Sequence, residues 1–177
     1  MVHPILQAFL PVVAENSRVL ILGSMPSVAS LAKHQYYAHP HNAFWQIIHD
    51  LWGVELSQDY AARVQFLLAH GLALWDVVAS CRREGSADAA IRDAVVNDFA
   101  TFFQQWPRID WLCFNGQTAE KLFRQKVLKE QGRASLDALR PGLQACLLPS
   151  TSPAHAVSYA QKRAQWQVVR HWGEDVI

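Results

Sequence analysis

The sequence predicts an α/β fold in which a parallel sheet is covered by helices on both faces. Four short runs, residues 18–22, 72–78, 109–114 and 143–148, are mostly apolar instead of alternating, as strands buried on both faces require. Segments with helical spacing lie between them, and that alternation is the pattern of strand-helix-strand units. Each apolar run is also followed at once by a polar, turn-rich cluster. With 177 residues and 51% hydrophobic side chains, the chain suits one compact domain spanning 1–177.

In chain order, the spacing predicts a helix over 4–14, the first strand over 18–22, and a long loop that ends where a helix begins near Ala43 and runs to 51. A helix over 57–70, closed by Gly71, precedes the second strand at 72–78. Helical patterns at 91–106 and 117–130 flank the third strand at 109–114. Residues 132–142, with mixed charge and glycines at both ends, read as a mobile surface loop before the fourth strand at 143–148. A last helix is expected over 160–172. No internal repeat or low-complexity linker interrupts this order.

Composition limits the partners. A formal charge of +1 excludes a whole-molecule polyanion trap, so any nucleic-acid contact must come from a local basic patch. Arg82-Arg83 and Lys162-Arg163 are candidates; the run Lys121, Arg124, Lys126, Lys129 and Arg133, interleaved with Glu120 and Glu130, reads instead as a solvated helix face. Cys81, Cys113 and Cys146 are odd in number and far apart, which does not suit a disulfide framework or a four-cysteine cluster; Cys113 and Cys146, inside apolar strand-like runs, read as core fillers. Residues 1–9 lack the charged start and apolar run of a secretory signal, and no stretch approaches a membrane span. A cytoplasmic protein with no membrane association is expected.

The strand-end clusters carry the chemistry. After the first strand come Gly23, Ser24, Met25, Pro26 and Ser27; after the second, Asp76 leads into Ser80-Cys81-Arg82-Arg83-Glu84-Gly85-Ser86. Asn115-Gly116-Gln117-Thr118 follows the third, and Pro149, Ser150, Thr151, Ser152, Pro153, Ala154 and His155 follow the fourth. If the strands are parallel, all four clusters meet at one sheet edge, where ligands of open α/β sheets bind. The long first loop adds Tyr36, Tyr37, His39, His41 and Asn42. Flat π faces beside hydrogen-bonding groups suit an aromatic ring ligand such as a nucleobase.

Each cluster also has a plain structural reading. The aromatics suit a core, Asn115 and Asn42 suit helix caps, and the 149–155 loop suits a helix-starting turn as well as a phosphate grip. Asp76, at the end of an apolar run, needs a partner, whether backbone, Arg82 or a ligand. His39 and His41 have no nearby Cys, Asp or Glu to complete a metal set. Ser152, His155 and Asp76 supply triad residue types, but no G-x-S-x-G elbow presents the serine, and Ser152 and His155 share one loop. The first loop also lacks the three glycines of a dinucleotide fingerprint.

Taken together, G-S-M-P-S, Y-Y-A-H-P-H-N-A-F-W, L-W-D-V-V-A-S-C-R-R-E-G-S, F-N-G-Q-T-A-E and L-P-S-T-S-P-A-H-A resemble the uracil-DNA glycosylase superfamily, nearest its hypoxanthine-DNA (deoxyinosine) branch and next its mismatch-specific uracil/thymine branch. The resemblance runs from about Arg18 to the C-terminal helix. It implies a three-layer α/β/α sandwich with a central four-stranded parallel sheet, monofunctional cleavage of a base–sugar bond, and no metal or organic cofactor.

By position, the resemblance makes Gly23, Ser24 and Met25 part of the water- and base-binding motif and Tyr37 the ring that stacks on the flipped base. Asp76 falls where uracil-specific relatives place a base-reading asparagine. The loop Pro149, Ser150, Thr151, Ser152 to His155 would pinch the DNA backbone and enter the minor groove; apart from the resemblance, charge alone offers Arg82 and Lys162 as further DNA contacts. One departure is notable: Met25 stands where mismatch-specific relatives carry the asparagine that positions water, and a thioether cannot activate water. Asn42 is the nearest amide to inherit that task, with His39, His41 or His155 as donors to the leaving base. The expected partner is DNA containing deaminated bases, acted on at the nucleoid by a monomer without an obligate protein partner. The runner-up activity is a mismatch-specific uracil/thymine glycosylase; from another class, a non-catalytic nucleic-acid or nucleotide-binding domain.

Overall fold

The computed structural model describes residues 3–174; the ends of the expected 1–177 span lie outside the described residues. Four strands, β2 (Val19–Gly23), β3 (Leu72–Asp76), β6 (Trp111–Asn115) and β7 (Gln144–Leu148), form one parallel sheet in the order β3-β2-β6-β7. All four expected strands are therefore present, within one or two residues of where apolar runs end.

The sheet is buried on both sides because alternate residues of each strand supply separate cores. Val19, Ile21, Leu72, Leu74 and Cys113 pack under α2 (Phe44–Leu51), α3 (Tyr60–Ala69) and α7 (Tyr159–Glu174), through Phe44, Ile47, Ile48, Leu67, Trp166 and Val169. Leu20, Leu22, Ala73, Trp75, Leu112 and Phe114 face the other way, against α4 (Phe99–Gln105) and α5 (Gln117–Leu122) with its π-helical continuation Phe123–Lys129. This is the expected three-layer α/β/α sandwich.

Several expected elements differ. The apolar run 72–78 is two strands: after Val77 the chain leaves the parallel sheet and β4 (Val78–Arg82) enters a small antiparallel sheet, between β1 (Ile5–Gln7) and β5 (Arg92–Val96). The helix expected over 4–14 is instead β1 (Ile5–Gln7) followed by extended chain that bridges Val12 to Leu74. Pro11 explains this, since an interior proline removes a helical donor and clashes with the preceding turn. The helix expected over 91–106 begins only at Phe99, where Asp98 caps it by accepting from Thr101 N at 3.1 Å. Before it, β5 (Arg92–Val96) pairs with β4, as β-branched Val95 and Val96 favour.

A helix not expected, α1 (Val28–Lys33), starts at Ser27, whose side chain accepts from Ser30 N, and stops at left-handed His34. Residues 132–142 carry a short helix, α6 (Leu136–Leu139), and are tied down by Gly142 N donating to Asp137 Oδ1 at 2.8 Å. Cys113 and Cys146 are register partners on β6 and β7 with sulfurs 3.6 Å apart, and both are free. Among the described residues, no helix is long and apolar enough to cross a membrane.

Candidate functional site

The parallel register brings the strand ends together: Gly23 of β2 pairs with Asp76 of β3, and Asn115 of β6 with Leu148 of β7. Just beyond them opens a cavity of about 600 Å³. Gly23, Ser24, Met25, Pro26 and Ser27 line one side, Tyr36, Tyr37, His39 and Asn42 another, and Ser150, Thr151, Ser152, Pro153 and Ala154 a third. Asp76 and Asn115 complete it below, and Ser86 to Ala89 close it from the antiparallel sheet.

Gly23 is demanded by close approach. A Cβ there would lie 2.5 Å from Asp76 Oδ1 and 3.2 Å from Tyr37 Oη, so any larger residue would push both groups aside. Asp76 is 4% exposed, and its Oδ2 is buried with no hydrogen-bond partner. Burial, reinforced by the Asp88 charge and opposed by Arg83, pushes its carboxyl up to about 7. Tyr37 adopts a left-handed backbone (φ 53°), and its hydroxyl is likewise buried without a partner. Burial and the Asp76 charge hold that phenol far above its ordinary range. The Tyr37 ring stacks on Phe44 with centroids 4.1 Å apart and planes 25° apart.

The first loop is held from the antiparallel sheet. Val77 N donates to Gly23 O at 2.9 Å, Val78 N to Ser24 O at 3.0 Å, and Ser24 Oγ bonds Asp88 Oδ1 at 2.6 Å. Arg83, 5% exposed, donates to Pro26 O at 2.5 Å. The Met25 side chain, 7% exposed, packs with Val78 and Cys81 and so anchors the loop by apolar contact. Across the cavity, Asn42 Oδ1 accepts from Phe44 N at 3.0 Å, which satisfies a free donor at the start of α2 and fixes the amide.

The 149–155 loop is held from behind. Thr151 N donates to Asn115 Oδ1 at 2.9 Å while Asn115 Nδ2 donates to Thr151 Oγ1 at 3.0 Å. Ala43 N bonds Thr151 O, Trp166 Nε1 bonds Pro149 O at 2.9 Å, and Lys162 Nζ bonds Ser152 O at 2.9 Å. Pro153, Ala154 and His155 remain exposed at its tip.

Comparison with known proteins fits this architecture. The family model of the uracil DNA glycosylase superfamily matches residues 10–174. The chain belongs to that superfamily. A hypoxanthine DNA glycosylase of Methanosarcina barkeri is 34% identical over 161 residues, covering 90% of this chain and 94% of that protein. One from Methanosarcina acetivorans is 34% identical over 167 residues, covering 93% and 98%. A solution NMR structure of a candidate uracil DNA glycosylase from Methanosarcina acetivorans superposes with a TM-score of 0.77 at 31% identity, over 97% of this chain and 99% of that one.

In this superfamily domain, most residues singled out from sequence do meet. Gly23, Ser24, Met25, Tyr37, Asn42, Asp76, Ser150, Thr151 and Ser152 all line the cavity. Pro149 lies behind the loop, and His155 is exposed beyond the cavity lining. Two residues depart from the expected placement. Arg82 sits in β4, bonded to His3 O and 3.6 Å from Asp93, away from the cavity. Lys162 is 4% exposed and supports the loop from beneath, where burial lowers its ammonium pKa, so it does not stand on the open face.

The glycosylase-like site also contains groups that sequence reading passed over. Asp88 bonds the first loop from a short 3₁₀ turn, and nothing in its local pattern marks it. In sequence Arg83 is only half of an arginine pair, whereas in the structure it is buried just past the end of β4 and Arg82 stays partly exposed. Among the described residues, no three His, Cys, Asp or Glu side chains cluster so as to hold a metal ion.

Proposed function

We propose that this protein is a monofunctional DNA glycosylase that hydrolyses the N-glycosidic bond of deaminated bases in DNA, hypoxanthine first and uracil second. The observation that carries this is the cavity at four converging strand ends, lined by the unpartnered groups of Asp76 and Tyr37, in a chain of this superfamily. Its volume of about 600 Å³ lies within the range of small-molecule pockets. The likeness over nearly the full length to proteins named hypoxanthine DNA glycosylase supports placing hypoxanthine first.

A base inside a duplex must leave the stack before its sugar bond can be reached, which costs a few kcal/mol and least at damaged or mispaired sites. Tyr37, backed on one face by Phe44, offers its other face to restack the base. The hydroxyls of Ser150 and Ser152, which line the cavity, hold phosphates beside the lesion, and His155 fills the gap that the base leaves. Asn42 orients the attacking water. A carbonyl oxygen has two lone pairs, so Oδ1 can keep Phe44 N and still accept from water; the cap then pre-orients the catalytic amide. As the bond breaks, its electron pair goes to the base, the sugar gains oxocarbenium character, and water bonds to the anomeric carbon.

The test is incubation with duplexes that contain inosine, uracil or no lesion, followed by alkaline cleavage at abasic sites. Scission should be strongest with inosine, weaker with uracil and absent from intact DNA. Binding without scission would leave only a non-catalytic domain.

A further inference from the structure

Among the described residues, buried side-chain atoms without a hydrogen-bond partner belong to Tyr37, Asp76, Arg83 and Arg133. Two of these, Tyr37 and Asp76, line the cavity, and Arg83 fastens the loop beside them through Pro26. Asp76 makes no ion pair among the described residues, although a guanidinium is near enough to act on its charge. A carboxylate so placed is expensive. A neutral carboxyl is far less so, and it carries one O–H donor and one acceptor oxygen.

Deaminated bases share one edge that adenine and cytosine lack: a ring N–H beside a carbonyl. A neutral carboxyl meets that edge with two hydrogen bonds of opposite sense. An ionised one accepts from the N–H but repels the carbonyl oxygen. We propose that Asp76 is a catalytic residue that acts as a neutral acid: its O–H donates to the carbonyl oxygen of the extruded base, and its other oxygen accepts from the adjoining ring N–H. This inference rests on the glycosylase reading above. The donated bond strengthens as the base takes up the glycosidic electron pair, so it stabilises the departing anion more than the bound base. No proton transfer from Asp76 is needed; the proton lost by the attacking water passes to solvent.

The surroundings fit this state. Tyr36 and Tyr37 face Asp76 from the long loop, Arg83 from the end of β4 and Asp88 from the 3₁₀ turn, while His39 stands at the cavity mouth. Burial and Asp88 favour the protonated form, and only Arg83 opposes it.

Single-turnover base release from inosine duplex, measured between about pH 5 and about pH 9, tests the assignment. Wild-type release should fall as pH rises through about 7. Asp76→Asn keeps a donor and an acceptor but cannot titrate, so this fall should vanish. Asp76→Ala should be about a hundredfold slower than wild type below about pH 6, with the gap closing as pH rises, while its melting temperature shows an intact fold. His39→Gln should retain the fall. An Asp76→Asn variant with the wild-type alkaline limb, or an Asp76→Ala variant with wild-type release, would overturn the role of Asp76 and leave the glycosylase reading standing. Wild-type protein that releases no base at any pH would overturn both.

Discussion

Asn115 and Thr151 hold each other by a reciprocal pair of hydrogen bonds, with Thr151 N on Asn115 Oδ1 at 2.9 Å and Asn115 Nδ2 on Thr151 Oγ1 at 3.0 Å. Thr151 is 1% exposed, so neither bond is readily replaced by water. The pair ties the end of β6 to the loop after β7 and presents the hydroxyls of Ser150 and Ser152 to the cavity. Asn115→Ala should cost about 1–3 kcal/mol of stability by leaving buried partners unsatisfied. Thermal melting and titration with lesion DNA check this, and DNA affinity should fall more than a distant variant of equal stability loses.

Tyr37 separates stacking from hydrogen bonding. Its ring lies on Phe44, and its hydroxyl is buried without a partner. Tyr37→Phe should therefore keep wild-type stability or gain slightly, because it removes an unsatisfied group. Tyr37→Ala should weaken lesion-DNA binding by about 1–3 kcal/mol. Fluorescence binding to an inosine duplex distinguishes them.

The strands were readable because continuous apolar runs have few other uses in a chain of this size, and the polar clusters after them marked the sheet edge that bears the cavity. The antiparallel sheet was hidden. Residues 4–14 have apolar spacing compatible with a helix; Pro11 disfavours that helix, and the long-range pairing of Ile5–Gln7 with Ser80–Arg82 makes the first segment a strand. Arg82 and Lys162 were placed from charge alone, and charge does not report direction: Arg82 turns away with β4, while Lys162 folds under the loop to reach Ser152 O. Asp88 reaches Ser24 from 64 residues away, a contact that no local pattern encodes.

Asp76 links pH to stability as well as to chemistry. Its folded carboxyl titrates near 7, above the ordinary range, so the native state holds its proton where the unfolded chain has lost it. Its contribution is full below about pH 4 and is lost as pH rises through about 7, up to about 4 kcal/mol in all. Asp76→Asn should thus be more stable than wild type at alkaline pH and no more stable in acid. Urea unfolding at both ends of that window checks the sign.

Asn42 combines a cap with the proposed water-positioning role, and the two leave different traces. Loss of a cap costs about 0.5–2 kcal/mol. Loss of a catalytic group slows single-turnover release by about a hundredfold or more with the fold intact. Asn42→Ala should show both losses, whereas Asn42→Asp should keep the bond to Phe44 N and the melting temperature while its release rate changes. Near-wild-type release by Asn42→Ala, with only a lower melting temperature, would make Asn42 scaffolding.

The most direct measurement is chromatographic detection of the free base after single-turnover reaction with inosine-containing duplex, quantified beside the abasic strand. The account predicts free hypoxanthine and abasic sites in equal amounts, no strand break before alkali, and no base released from undamaged DNA. Duplex bound but recovered with its inosine intact would contradict it.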